Sequence, residues 1–105
     1  GITVQNTSAA NIVIDKITVN WNNANLIREI KIGGVKVWSN TGPGTPSGKQ
    51  PSGTLINIQD VTLAPGAAAT LIDRFRFDAS MSGATFNIAF TMFDGSVKTT
   101  GNFTR

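Results

Sequence analysis

The side chains able to do acid–base chemistry are Asp15, Glu29, Asp60, Asp73, Asp78 and Asp94. They are scattered, and most of the aspartates stand beside turns, where a carboxylate ordinarily caps backbone N–H groups. Hydrolysis of a glycoside would need two carboxyls facing each other across a groove. A fold could bring Asp60 and Asp94 together, but turn capping accounts for both. Histidine and cysteine are absent. That removes the commonest general base, the thiolate nucleophile and the commonest transition-metal ligands. A Ser or Thr nucleophile would need an activating base, and no Ser-x-x-Lys run occurs. The run Gly42-Pro43-Gly44 lacks the strand-to-helix context of a phosphate-binding loop. A calcium site made of turn carbonyls and Asp would have no EF-hand spacing behind it. These residues predict a chain that is not an enzyme and uses neither a cofactor nor a metal.

Binding is a better prospect than catalysis. The formal net charge is +3, with the basic residues spread along the chain. A nucleic-acid binder would cluster them with exposed aromatics, so nucleic acid is not an expected partner. Two basic pairs stand out, Lys31 with Lys36 and Arg74 with Arg76. On separate faces they are ordinary solvated positions; on one sheet face they make a basic patch. Like charges directly opposite each other cost some tenths of a kcal/mol, which Glu29 or an anionic partner surface would relieve. Trp38 is the third candidate contact residue. Alternation puts it on the polar face of its hairpin, beside a long loop. That loop could fold over it, or the indole could stand exposed as a sugar-stacking platform or a subunit contact. Trp21 shares parity with Ile17 and Val19 and reads as core.

The elements that carry these residues are strands. Charged residues are 14% of the 105-residue chain, against about 25% in average globular proteins. Thr, Asn, Ser and Gly fill the polar positions, and they suit strand faces and turns better than helices. Apolar and polar residues alternate along most of the sequence, the period of a half-buried strand. Alternation changes parity near Asp15-Lys16 and again near Gln59-Asp60, which predicts two β-bulges. Asn22-Asn23-Ala24-Asn25 and Ala64-Pro65-Gly66 read as turns.

Gly33-Gly34 between two alternating runs predicts a two-residue hairpin. Its register would place Ile32 opposite Val35, Lys31 opposite Lys36, Ile30 opposite Val37 and Glu29 opposite Trp38. Residues Ser39 to Gly53 form a Gly/Pro/Ser/Thr-rich stretch, long for a connection inside a domain, and read as either a binding or packing loop or a slack connection. Beyond it, Leu71, Asp73, Phe75 and Phe77 share one parity and Ile72, Arg74 and Arg76 the other, with the Phe pair inward and the Arg pair outward. Asp94-Gly95 marks a second hairpin. About eight strands with frequent turns predict a single all-β domain over residues 1–105, an antiparallel β-sandwich of immunoglobulin-like type. Asn6-Thr7-Ser8 and Asn102-Phe103-Thr104 match the glycosylation sequon, a sign of exposure.

The runs Ile2-Thr3-Val4-Gln5-Asn6-Thr7 and Ile17-Thr18-Val19-Asn20-Trp21 suggest a family, as do the Leu63-Ala64-Pro65-Gly66 turn and the closing Phe93-Asp94-Gly95-Ser96 hairpin. In these the chain resembles the β-sandwich part of prokaryotic surface-filament proteins, type IV pilin-like and archaellin-like subunits. The resemblance implies an extracellular, cell-surface location. It also implies a hydrophobic N-terminal helix, a segment outside this sequence, as the one route to a membrane. The function expected is non-catalytic: a structural or adhesive subunit of a filament (a type IV pilus, for instance) or a surface-protein module. It would meet other protein subunits through sheet edges such as Ile2 to Asn6, exposed Thr/Asn faces and the long loop, or meet surface glycans. The alternative is a carbohydrate-binding module of a secreted enzyme, which would depend on an exposed Trp38.

Overall fold

Strict alternation of β-branched and polar residues leaves the chain one economical solution, in which each strand turns one side to a shared apolar layer. The computed structural model describes residues 2–4, 6, 9–66 and 70–104, with side chains omitted at 2–4 and 70–74. Among these residues the strands are β1 (Ile2–Val4), β2 (Ile12–Trp21), β3 (Ile27–Ile32), β4 (Val35–Ser39), β5 (Leu55–Leu63), β6 (Thr70–Phe77), β7 (Thr85–Met92) and β8 (Val97–Thr104). No described residue is helical, and so no described helix could cross a membrane.

The strands form two antiparallel four-stranded sheets, ordered β1-β6-β3-β4 and β5-β2-β7-β8. The expected β-sandwich is what the chain builds. The chain passes from one sheet to the other at every connection except the β3–β4 and β7–β8 hairpins. A single cluster fills the space between the layers. It takes Ile14, Ile17, Val19 and Trp21 from β2, Ile27, Ile30 and Ile32 from β3, and Phe86, Ile88 and Phe90 from β7, with Val37, Trp38, Ile56, Ile58 and Leu63 from the edge strands β4 and β5. Phe75 and Phe77 pack half-buried against it while Arg76 is exposed, in line with the parity of that strand. The side chains of Leu71 to Arg74 lie outside the described residues.

Both predicted bulges are present and face each other. Between Ile14 and Lys16 the register of β2 slips against both neighbours, and against β5 the same step runs from Val61 to Asn57. The slip lets Ile14 and Ile17, of opposite parity, both reach the core. The Gly33-Gly34 hairpin also forms, with φ of 59° and 80°. Positive φ at both central residues is the geometry that side chains disfavour and glycine tolerates.

The register of that hairpin corrects the expectation partway along. Ile32 pairs with Val35 and Lys31 with Lys36, but Ile30 then pairs with Trp38 and Glu29 with Ser39. Val37 is an extra residue, a third bulge, and it re-aims everything after it. Trp38 therefore falls on the inner side with Ile30, not on the polar face. Its indole is fully buried. Two apolar neighbours, Val37 and Trp38, both satisfy the core, which outweighs one regular ladder position.

Candidate functional site: two unlike outer faces

Trp38 is held by the loop that follows it. Its Nε1 donates to the Pro46 carbonyl at 3.0 Å. A Cβ on Gly44 would stand 2.9 Å from Trp38 Cδ1 and 2.7 Å from the Asn57 carbonyl, and φ there is +82°. The backbone of the loop is pinned as well. Thr45 exchanges two backbone hydrogen bonds with Asn57 of β5, and Gln50 exchanges two with Ile27 of β3. The Ser39 hydroxyl donates to the Gly42 carbonyl. The loop thus joins one sheet's edge to the other sheet and closes over the indole. It is a packing loop, and Trp38 offers no surface for a sugar ring or a subunit.

Lys31 and Lys36 are brought together, as cross-strand partners on the outer face of β3 and β4. On the same face, Glu29 is paired through its backbone with Arg76 of β6. Lys36 Nζ lies 3.3 Å from Glu29 Oε1, and Arg76 Nε lies 3.9 Å from Oε2. The carboxylate is nearly covered, with 12% of its side chain exposed, while Lys36 and Arg76 keep about half of theirs in water. Arg74 is in backbone register with Lys31; its side chain lies outside the described residues. The two basic pairs are therefore neighbours on one sheet. Lys36 and Arg76 flank the Glu29 carboxylate and Lys31 is the cross-strand partner of Lys36, so the described side chains of this face carry more positive than negative charge.

The outer face of the other sheet is built from three cross-strand rows. Asn20, Asn87 and Asn102 form one; Leu55, Thr18, Ala89 and Thr99 the next; Asn57, Lys16, Thr91 and Val97 the third. The first row is linked across its strands, Asn87 Nδ2 donating to Asn102 Oδ1 at 3.0 Å and Asn20 Nδ2 to the Asn87 carbonyl at 3.4 Å. Lys16 is the one charged side chain in these rows, and its Nζ sits 2.5 Å from Asp15 Oδ2.

The remaining carboxylates near this sheet are engaged locally. Lys16, by hydrogen bond and by charge, holds the Asp15 carboxyl below its ordinary range, with a smaller contribution from neighbouring Asp60. Asp94 Oδ1 accepts from Ser96 Oγ at 2.7 Å and Ser96 N at 2.9 Å, which lowers its pKa. Among the described residues no group of three or more Asp and Glu converges in metal-binding geometry. An open cleft of about 360 Å³ lies beside Phe75, Phe77, Ala79, Ser80, Met81 and Ser82, and none of these ionises.

Two features escaped sequence reasoning. Asn6, part of a sequon, is buried, and its amide nitrogen donates to the carbonyls of Ala10 and Leu63 at 2.6 and 2.7 Å. That side chain is a structural tie and is closed to a glycan. The asparagine row was equally hidden, because its members come from positions 20, 87 and 102 and meet only through strand order. No family model, curated protein or solved structure matches this chain.

Proposed function

We propose that the chain is a non-catalytic structural or adhesive domain of the cell surface, a filament subunit or surface-protein module, that holds an anionic partner against its β4-β3-β6 face. The observation that supports this is the placing of Lys36 and Arg76 against one nearly covered carboxylate, with Lys31 as the cross-strand partner of Lys36 on the same face. Glu29 offsets only part of their charge and positions the ammonium and guanidinium groups, so an acidic surface would complete the arrangement. The contact is electrostatic and should weaken steeply with salt. A carbohydrate-binding module has no comparable support, since the aromatic platform it would use is buried.

The test is retention of the chain on immobilised polyglutamate and on an acidic polysaccharide, compared with a Lys31→Glu/Lys36→Glu variant of unchanged melting temperature. Retention at low salt that fades above about 0.15 M and vanishes in the variant is the expected result. Equal retention of the two proteins, or none by the parent, removes this reading.

A further inference from the structure

The outer face of the other sheet, where charge is sparse, has its own chemistry. Charged side chains are what protein interfaces exclude from their centres, and apolar groups among neutral polar ones are what they retain. Across the three rows of the β5-β2-β7-β8 face the only charge is Lys16, at one end, where Asp15 and Asp60 neighbour it; the Asn row and the row of Leu55, Thr18, Ala89 and Thr99 carry none. Two of the large apolar residues left in water, Leu55 at 54% exposure and Val97 at 53%, stand on this face at its two edge strands. Scattered single apolar residues need no explanation. Here they flank a neutral field of Thr and Asn.

We infer that this face is where a second copy of the chain docks, face to face about a twofold axis. The chain carries a net charge of +3, so copies repel one another through their basic faces. The neutral face is the approach on which that repulsion is least. Its groups also suit a copy of themselves. Each carboxamide of the asparagine row has both a donor and an acceptor, as has each Thr hydroxyl, so an identical row reversed by a twofold axis offers acceptors to donors and donors to acceptors. An isologous contact of this kind needs only one self-complementary patch. From strand spacing and rise the face covers on the order of 500 Å² per copy, below the roughly 800 Å² of a standard stable interface. The dimer is therefore weak and concentration-driven, suited to subunits already held side by side.

Sedimentation equilibrium up to about 1 mM chain, in about 0.15 M salt to shorten the range of charge repulsion, tests this. The parent should dimerise, with association weakened about tenfold or more in Thr99→Glu, because each copy would bring a charge into the contact. Thr99→Glu lowers the net positive charge, so general repulsion would predict the opposite change. Leu55→Ser, at the far edge, should weaken association as well, and Lys36→Gln, on the other face, should leave it within about twofold. A parent that stays monomeric throughout overturns the inference. So does a dimer indifferent to Thr99→Glu and Leu55→Ser when both variants remain folded by circular dichroism.

Discussion

On the β4-β3-β6 face, charges are concentrated: Lys36 and Arg76 flank Glu29, and Lys31 pairs with Lys36 across the strands. On the β5-β2-β7-β8 face Asp15, Lys16 and Asp60 sit together at one end, and elsewhere amides, hydroxyls and a few aliphatic groups stand in rows. Both faces come from the same rule, that every second residue of a strand points away from the core. The rule decides which residues face water but not which of them meet. Strand order does that, setting Arg76 beside Glu29 and Asn102 beside Asn87. Local pleating therefore makes the two surfaces, and the long-range topology gives them different chemistry.

The edge strands behind the two faces differ as much as the faces do, and the largest predicted effects lie there. Behind the charged face, β4 is anchored by the fully buried Trp38 and the loop closed over it. Behind the neutral face, β8 is exposed along nearly its whole length, and its inward anchor is the half-buried Phe103, stacked on Phe86 at 5.7 Å. Trp38→Ala should cost about 3–5 kcal/mol in urea unfolding, the range for deleting a large buried aromatic. Phe103→Ala should cost about 1–2 kcal/mol, since less of the ring leaves water. Its effect should be local, with faster amide exchange confined to β8 and its hairpin. Equal costs for the two would erase the asymmetry drawn here.

A smaller effect separates structure from binding on the charged face. Glu29→Gln should lower stability by about 1 kcal/mol, a modest loss because Lys36 and Arg76, which flank the carboxylate, are half solvated. Retention on polyanions should rise at the same time, because one negative charge has left the patch. Unchanged retention would mean that the cations act independently of Glu29.

The smallest effect belongs to the hairpin that leads into the neutral face. Asp94 has its pKa lowered by Ser96, so its contribution is present above the ordinary carboxylate value near 3.9. That contribution disappears as pH falls through the lower folded-state value. Asp94→Asn should remove this slope from unfolding midpoints measured between about pH 5 and 2 while changing little at pH 7. The carboxylate is solvent-exposed, so the slope is shallow.

How much of this was legible in the chain depended on distance along it. The Gly33-Gly34 turn and its first two pairs follow from local alternation, as do the bulges at Asp15-Lys16 and Gln59-Asp60, each marked by a change of parity. The bulge at Val37 left a fainter mark. Val37 and Trp38 are adjacent and both apolar, so regular alternation could claim either one for the core, and the wrong choice turned Trp38 toward solvent. Lys31 and Lys36 were recognisable as neighbours because one tight turn joins them. Their meeting with Arg76 was not, since it requires β6 to lie beside β3. The burial of Asn6 depends on a carbonyl of residue 63, a contact beyond any local signal.

The separation of the two faces can be read directly by titrating isotope-labelled chain with short polyglutamate and following backbone amide shifts. Salt-sensitive shifts centred on Lys31, Lys36 and Arg76, with Asn87, Thr99 and Asn102 unmoved, are what the charged-face account predicts. Shifts centred on β7 and β8, or no shifts at any residue at low salt, would contradict it.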